Sequence, residues 1–485
     1  MTTLTSPLRR REFLRLAGAG AAASFLGLPP AVAREAGDQP NPQADSLRHE
    51  KPNFLIFYTY DQGWGDMGCY GASDFRTPNM DALAASGLRF TSWYSNAPVC
   101  SASRAALLTG RYPQRAGAPG IFGSGRAAPG MPPDEITLAE VLKGVGYRTG
   151  LVGKWHLGGG PEFRPNQQGF DDFFGFHSGC IDNYSHIYYW GQGGKQGRFP
   201  FHDLWRNDKE VWENGQFFTE LMTREAVRFV GENRSRPFFL YVAWNLPHYP
   251  THPPARYWER VAHIKDPERR TQAATCAAID DSLGEIMAEL RRAGLLERTL
   301  VFFSSDNGPS TEQRNRLDDS GRFYYGGSAG PFRGHKFSLF EGGIRMPTLM
   351  SWPGSLPKGK VIEDVGVTMD IFPTFVHLAG AEMPADRVID GKDVFPMIAH
   401  GAPSPHETIF WANANQRAVR RGKWKLILNP TMDPGETAAE KVFLADLEKD
   451  PGEKANLAEK KSELVMELRR LIERWETGVI SKKKP

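Results

Sequence analysis

Side chains able to bind an oxyanion and a hard metal cation recur in short polar motifs of this sequence, several directly after an apolar segment. They are Asp61 in YDQG, Arg104 in CSASR, Lys154 and His156 in KWHLG, His248 in NLPHYP, Asp306 and Asn307 in SSDNG, and Lys336 in GHKF. Carboxylate and amide oxygens suit calcium or magnesium, whereas the cationic side chains donate charge-assisted hydrogen bonds to oxyanions. Each motif alone is also compatible with a turn, a cap or a surface position. Together they predict one site that binds an anion beside a metal ion.

The cysteine of the CSASR motif adds a potential nucleophile. The run SRAALLTG predicts a short helix with Ser101 or Ser103 as its N-cap and Gly110 at its end. Cys100 would then lie in the field of free backbone N–H groups, which favours an anion. The alternative interpretation is a small buried thiol that packs at a helix end.

Alternating strands and helices must position these side chains. Apolar runs predict strands at 53–59, 147–153, 237–244, 299–305 and 347–352, and helical patterns cover 79–86, 136–143, 219–232, 271–293 and 369–378. Several runs are apolar throughout, which is typical of strands buried on both faces. The fold class predicted is therefore α/β, with a large, mostly parallel sheet flanked by helices. Because ligand sites form at the carboxyl ends of such strands, the motifs should meet there.

The two ends of the chain differ from this pattern. The opening RRREFLRLAGAG and the later AVA resemble a twin-arginine signal peptide, which we place at residues 1–33, followed by a polar linker at 34–50. The signal predicts the twin-arginine export machinery as a partner and a periplasmic or secreted protein. The main domain is expected at 51–405. Short antiparallel strands and a final helix predict a small C-terminal α+β subdomain at 406–485.

Charge and cysteine usage exclude other classes of protein. The formal net charge is +3, and the arginines of the predicted signal peptide account for it. The remaining chain is formally neutral, which argues against a nucleic-acid partner. No later run is apolar and long enough for a stable membrane span. With four cysteines, committing Cys100 to chemistry leaves an odd number, which argues against a disulfide framework.

The motifs also resemble a known family. CSASRAALLTGRYP is similar to the Cys-x-Pro/Ala-x-Arg signature of type I, formylglycine-dependent sulfatases, which Cys100, Ala102 and Arg104 match. GKWHLG, PHYP, SSDNG and GHKFSLFEGGIRMP resemble the remaining family blocks in the family's order. Within the family, the segments GCIDNYSH and PFRGHKFSLFEGG most resemble arylsulfatase B-type glycan sulfatases. The resemblance implies an alkaline-phosphatase-like sandwich that hydrolyses sulfate monoesters of saccharides or aryl alcohols.

The resemblance also implies how each residue acts. A formylglycine-generating enzyme would oxidise Cys100, and one hydroxyl of the resulting aldehyde hydrate would attack sulfur while the other later releases sulfate. One Ca2+ would be held by the group made from Cys100 and by Asp61, Asp306 and Asn307. The remaining roles are orientation of the hydrate by Arg104, binding of sulfate oxygens by Lys154, Lys336 and His248, proton removal by His156, and assistance to the leaving oxygen by His248 or Lys336.

One position departs from the family pattern. Tyr60 stands where the family usually has the first of two aspartates, so one calcium carboxylate is missing. A neutral phenol is a poor ligand for a hard cation. Two alternatives stay open. Tyr60 favours a degenerate, non-catalytic sulfatase-fold binding protein, and the oxyanion donors would equally suit a formylglycine phosphodiesterase or phosphonate hydrolase.

Overall fold

The computed structural model describes residues 51–189, 200–313, 321–433 and 440–480. The predicted signal peptide and linker lie outside the described residues. In the described part of the chain, no helix combines the length and the apolar character needed to span a membrane.

Five of the strands agree closely with the five apolar runs of the sequence. The strands are β1 (Asn53–Tyr60), β2 (Leu88–Phe90), β3 (Trp93–Tyr94), β4 (Arg148–Lys154), β5 (Asp172–Phe176), β6 (Ile187–Tyr188), β7 (Phe201–His202), β8 (Trp205–Arg206), β9 (Lys209–Glu210), β10 (Phe238–Pro247), β11 (Thr299–Ser305), β12 (Thr348–Ser351), β13 (Lys360–Ile362), β14 (Gly366–Val367), β15 (Thr408–Asn413), β16 (Gln416–Arg421), β17 (Trp424–Leu428) and β18 (Val442–Asp446). The third predicted strand is longer than expected, because its pairing with β1 continues to Pro247.

Most of the longer strands form one mixed sheet. Within the described residues it has ten strands in the order β13-β2-β12-β11-β1-β10-β4-β5-β8-β9. The central strands β11, β1, β10, β4 and β5 are parallel to one another, whereas β12 and β8 pair antiparallel at either side of them. The prediction of a large, mostly parallel sheet is confirmed.

The helices cover both faces of this sheet. They are α1 (Pro78–Ala85), α2 (Cys100–Thr109), α3 (Leu138–Gly144), α4 (Phe218–Glu232), α5 (Ala255–Arg260), α6 (Pro267–Arg292), α7 (Glu341–Ile344), α8 (Ile371–Leu378), α9 (Phe395–His400) and α10 (Ser462–Ile480). Side chains alternate between the faces along a strand. Leu55 and Phe57 of β1 accordingly pack with α1, α4 and α6, whereas Phe54, Ile56 and Tyr58 pack with α2, α3 and α8.

The C-terminal segment forms a second, smaller layer. Strands β15, β16, β17 and β18 make an antiparallel sheet in that order, and Leu468 and Ile472 of α10 pack against its residues Val419, Leu426 and Leu444. The α+β character predicted for this segment is confirmed, and its final helix is the amphipathic α10.

Glycines in β4 let it approach its neighbours closely. Gly153 has φ of 113°, and a Cβ atom there would lie 2.1 Å from the carbonyl oxygen of Ala243 on β10. Gly146 has a similar φ of 93° but has nothing within 4 Å of its Cβ position. The two sites therefore separate the cost of backbone conformation from the cost of steric overlap.

We predict that Gly153→Ala lowers the free energy of unfolding by about 1–3 kcal/mol more than Gly146→Ala, because β10 cannot move away without breaking the sheet. Chemical denaturation of the two variants measures the difference. Equal destabilisation would show that the β4–β10 contact is not tight at Gly153.

Candidate active site

The carboxyl ends of four adjacent strands bring the predicted residues together. Asp61 follows β1, Asp306 and Asn307 follow β11, His248 follows β10, and Lys154 ends β4. Their side chains are all at most 2% exposed. The parallel arrangement explains the convergence, since the same end of each strand lies at the same edge of the sheet.

Two residues beside the strand ends have left-handed backbone conformations. Asp61 has φ of 60° and His156 has φ of 53°. Non-glycine residues adopt this region at a cost of roughly 1–3 kcal/mol, and such strain clusters at functional sites. The local turns direct both side chains into the site instead of along the strands.

Cys100 is the first residue of α2 and lies beside a histidine and a tyrosine. Its Sγ atom is 3.2 Å from Nδ1 of His156, and the Tyr60 hydroxyl donates to Sγ over 3.6 Å. Nε2 of His156 is 3.1 Å from the carbonyl oxygen of Phe122. Because a carbonyl only accepts, Nε2 carries the ring proton and the Nδ1 lone pair faces the thiol.

The protonation of His156 follows from its surroundings. Burial, together with the positive charges of Lys154 and Arg104, lowers the pKa of His156 well below its usual value. The imidazole is therefore neutral, with a free lone pair directed at Cys100. This is the state a general base requires.

The predicted N-cap of α2 is wrong. The cap residue is Val99 and the helix begins at Cys100, so Ser101 and Ser103 lie inside the first turn. Their hydroxyls bond elsewhere: Ser103 donates to the Ala97 carbonyl at 2.8 Å, and Ser101 accepts from a backbone N–H at 3.1 Å. The predicted end is confirmed, since Gly110 adopts φ of 68°.

A buried ion pair connects α2 to the sheet. Arg104 donates to Asp306 over 2.7 Å, and both side chains are fully buried. Arg104 also donates to the Tyr241 hydroxyl at 3.2 Å, while Asp306 accepts the backbone N–H of Asp61 at 3.1 Å. These bonds fix α2 relative to the ends of β1 and β11.

Two buried lysines provide positive charge. Within the described residues, Nζ of Lys154 has no hydrogen-bond partner and lies 2.9 Å from the ring centroid of Tyr60. Burial lowers the pKa of Lys154 to about 7. Lys336 instead donates to Asp61 at 3.0 Å and to Glu312 at 2.8 Å. Burial alone would lower the pKa of Lys336, but the negative charges of the two carboxylates outweigh burial and raise this pKa well above its usual value.

The Tyr60 ring lies at the centre of this group of cations. It stacks on His248 with a centroid distance of 3.8 Å and an interplanar angle of 8°. Nδ1 of His248 donates to the Tyr249 carbonyl over 2.8 Å, so its unprotonated Nε2 lies 3.8 Å from an Asp61 oxygen. Burial and the two lysines lower the pKa of His248 well below its usual value. Two acceptor atoms therefore face each other, an arrangement that favours a cation between them.

The oxygen atoms at this edge fit a hard divalent cation. Among the described residues, the buried Oδ1 of Asn307 has no hydrogen-bond partner, while its Nδ2 donates to Asp61 at 2.7 Å. Asp61, His248 and Glu312 also offer ligand atoms within 4.8 Å of one another. Burial raises the pKa of Asp61 to about 7 even beside Lys336. A further positive charge nearby would therefore stabilise the ionised form of this carboxylate.

Glu312 is the site residue that the sequence motifs missed. It bonds to Lys336 and accepts from the Ser310 hydroxyl at 3.1 Å. It lies five residues beyond Asn307 in a polar loop, where a glutamate is unremarkable by type and spacing. Only the folded loop shows that Glu312 places a carboxylate in this site, where position 60 has a tyrosine and therefore provides none.

The comparisons with known proteins agree with this geometry. The Sulfatase family profile matches residues 52–381, and the profile for the N-sulphoglucosamine sulphohydrolase C-terminal region matches residues 332–477. N-acetylgalactosamine-6-sulfatase of Sus scrofa is 38% identical over 390 residues, covering 78% of this chain and 71% of the relative. Arylsulfatase A of Homo sapiens is 36% identical over 439 residues, covering 84% and 83%.

The architecture is also similar to that of a solved structure that shares about a third of its sequence with this chain. The crystal structure of Ps i-CgsB in complex with k-i-k-neocarrahexaose has a TM-score of 0.78 and 32% identity, covering 88% of this chain and 93% of that chain. The resemblance to type I sulfatases and to their alkaline-phosphatase-like sandwich is confirmed.

We predict that inorganic sulfate binds more weakly as pH rises from 6 to 8, because the unpaired Lys154 ammonium loses its proton near pH 7. Lys154→Met should weaken binding and reduce this pH dependence. Isothermal titration with sodium sulfate measures both effects. The control is Lys51→Met, since Lys51 is exposed at the opposite edge of the sheet and donates to the Val145 carbonyl. Sulfate affinity unchanged in Lys154→Met would contradict the assignment.

Proposed function

This chain belongs to the sulfatase family and is a sulfuric ester hydrolase, and we propose that it hydrolyses sulfate monoesters through a formylglycine made from Cys100 beside a bound calcium ion. The observation that carries the proposal is the position of Cys100: a buried helix start facing a neutral histidine on one side and buried lysines nearby. A site of this kind can hold a nucleophile, its base and an anionic ester together.

The protein's own residues prepare the nucleophile. As its hydrate, formylglycine supplies two hydroxyls, one to attack sulfur and one to release the sulfate by reforming the aldehyde. The Nδ1 lone pair of His156 accepts a proton at position 100, since its Nε2–H is held by Phe122. Arg104 donates hydrogen bonds and positive charge at the base of α2 and keeps the side chain at position 100 oriented.

Asp61, Asp306 and Asn307 would hold the calcium ion together with the modified residue 100. When bound, the ion supplies positive charge that attracts the ester and stabilises a deprotonated hydroxyl. Glu312 lies close enough to Asp61 to contribute negative charge where Tyr60 contributes none.

Lys154, Lys336 and His248 would bind the sulfate oxygens. Donors that are already in place stabilise the charge that develops on these oxygens during transfer. His248 donates through Nδ1 to Tyr249, so only its Nε2 can give a proton to the leaving oxygen. An anionic ester beside Nε2 raises the pKa of the imidazole and so favours the acidic form.

A sulfated saccharide is the substrate class we favour. The Ps i-CgsB structure holds k-i-k-neocarrahexaose and is 32% identical to this chain. An aryl sulfate serves as the assay substrate. The phosphodiesterase or phosphonate hydrolase alternative rests on the same donors, which accept tetrahedral phosphoryl groups too. The degenerate-binder alternative rests on Tyr60 alone.

Maturation would require a formylglycine-generating enzyme, and the twin-arginine signal would deliver the protein to the periplasm or the exterior. Both proposals rest on sequence motifs, the Cys100 signature and the N-terminal arginines.

We predict that the Cys100 peptide from active enzyme has the mass of formylglycine, lower than that of cysteine, when a formylglycine-generating enzyme is co-expressed. Peptide mass spectrometry measures the conversion, and turnover of 4-nitrophenyl sulfate should rise in proportion to it. Phenyl phosphonate should be hydrolysed more slowly. Cys276, a buried free cysteine of α6, is the internal control and should keep its thiol mass. Full activity with an unmodified Cys100 would refute the mechanism.

We also predict that chelation strips the activity easily and that added calcium restores it, because Tyr60 provides no carboxylate to the ion. Tyr60→Asp should lower the calcium dissociation constant, measured by direct titration of the chelated protein as well as by activity. Tyr58→Phe, two residues earlier in β1 and fully buried, is the control and should bind calcium as the parent does. If the parent and Tyr60→Asp bind calcium equally tightly, the tyrosine does not deprive the ion of a ligand. If the activity of neither protein responds to any divalent ion, the degenerate-binder alternative is favoured over the enzyme.

A further inference from the structure

The backbone that carries Lys336 is held by bonds to two other parts of the site. The Lys336 N–H donates to the Pro309 carbonyl at 3.0 Å, just beyond Asn307. The N–H of Phe337 donates to the Pro98 carbonyl at 2.9 Å, two residues before Cys100. The position of the lysine therefore depends on how this short segment is anchored.

Phe337 adopts a conformation that needs support. Its φ is 75°, in the left-handed region that non-glycine residues rarely occupy. Its side chain packs against Ala97, Val99 and Ala102 at the start of α2. An unfavourable backbone conformation persists only where surrounding contacts impose it.

Those contacts come from the C-terminal sheet. The Phe337 carbonyl accepts one hydrogen bond from Nε2 of Gln416 at 2.7 Å and another from Nδ2 of Asn413 at 3.0 Å. Both side chains belong to the β15–β16 hairpin. The carbonyl next to Lys336 is thus held by two amides distant in sequence.

Gln416 uses both ends of its amide. Its Oε1 accepts from the N–H of Leu339 at 3.3 Å and from the N–H of Thr431 at 3.0 Å. The side chain is 2% exposed. The Gln416 amide thus binds the lysine segment on both sides of Ser338. It donates to the Phe337 carbonyl and accepts from the Leu339 N–H. Neither a carboxylate nor an apolar side chain can provide both.

The subdomain does not need Gln416 for its attachment. Lys425 of β17 is fully buried and pairs with Glu341 at 2.8 Å and with Glu453 at 3.0 Å. This ion-pair network connects β17 to α7 independently of the hairpin. Loss of the Gln416 amide should therefore alter the lysine segment more than the attachment of the subdomain.

We infer that Gln416, assisted by Asn413, is a positioning residue for Lys336, so that the C-terminal subdomain sets the geometry of the anion-binding site. The inference rests on the proposed function of Lys336 as a sulfate-binding group. Gln416 touches neither the ester nor Cys100. It acts by holding the strained Phe337 carbonyl, which fixes the direction in which the neighbouring lysine side chain leaves the backbone.

The test is a double-mutant cycle between Gln416→Met and Lys336→Ala, with kcat/KM for 4-nitrophenyl sulfate as the readout. A displacement of about 1 Å in a catalytic group can cost about 10²-fold in rate. We expect Gln416→Met alone to lose up to that factor, and to lose nothing further on the Lys336→Ala background, since coupled residues are non-additive. The dissociation constant of inorganic sulfate should rise in Gln416→Met and stay constant between the two Lys336→Ala enzymes.

The matched control is Asn456→Leu. Asn456 also bridges a donor and an acceptor, through Val442 at 2.9 Å and Leu444 at 3.1 Å, but its bonds stay inside the C-terminal subdomain. This variant should keep kcat/KM while its melting temperature falls at least as far as that of Gln416→Met. Asn413→Ala, at a half-buried position, removes one bond to Phe337 and should show a smaller loss with the same dependence on Lys336.

The outcomes separate the two hypotheses. Suppose that Lys336→Ala lowers kcat/KM and that Gln416→Met lowers it by a further, independent factor in the double variant. That result would overturn the positioning role of Gln416 and leave the proposed function intact. A Lys336→Ala enzyme as active as the parent would overturn the role of Lys336 and the inference with it.

Discussion

The buried pair between Arg104 and Asp306 is the interaction on which the site depends. It joins the second turn of α2 to the end of β11, with no exposure of either side chain. Removing one partner from such a pair leaves an uncompensated charge in the interior, which is far more costly than the net value of the pair. Asp306 also accepts the backbone N–H of Asp61. One carboxylate therefore sets the relative positions of Cys100, the β1 end and the β11 end.

Burial determines the protonation of the surrounding groups. The same exclusion of water that keeps His156 and His248 neutral also lowers the pKa of Lys154. Lys336 stays charged because Asp61 and Glu312 lie against it. A site with one unpaired lysine and one paired lysine can accept an anion without large rearrangement. The unpaired Lys154 is ready to bind, and the carboxylates beside Lys336 can pair with a cation instead.

Tyr60 replaces a charged side chain of the site by an aromatic one that still fills the position. Its ring contacts Lys154 and His248, and its hydroxyl reaches Cys100. It thus packs where a carboxylate would bring charge, while Glu312 brings a carboxylate from the loop after β11. The C-terminal sheet reaches the same site from the other side through Gln416 and Phe337. The groups proposed to bind the anion are therefore held by the central sheet, by a loop and by the second layer together.

The sequence alone determined the α/β class, the strands at the centre of the large sheet, most helix positions and the residues that meet at the sheet edge. It could do so because buried parallel strands are apolar throughout, and because the motifs that follow them must lie at one edge. The N-cap of α2 was predicted two or four residues late, since Ser101 and Ser103 look like caps but bond to other backbone groups. The tertiary structure alone decided the contacts of Glu312 and Gln416, the orientation of Tyr60 and the proton positions on both histidines. These depend on contacts between segments far apart in the chain, whose distances no local pattern encodes.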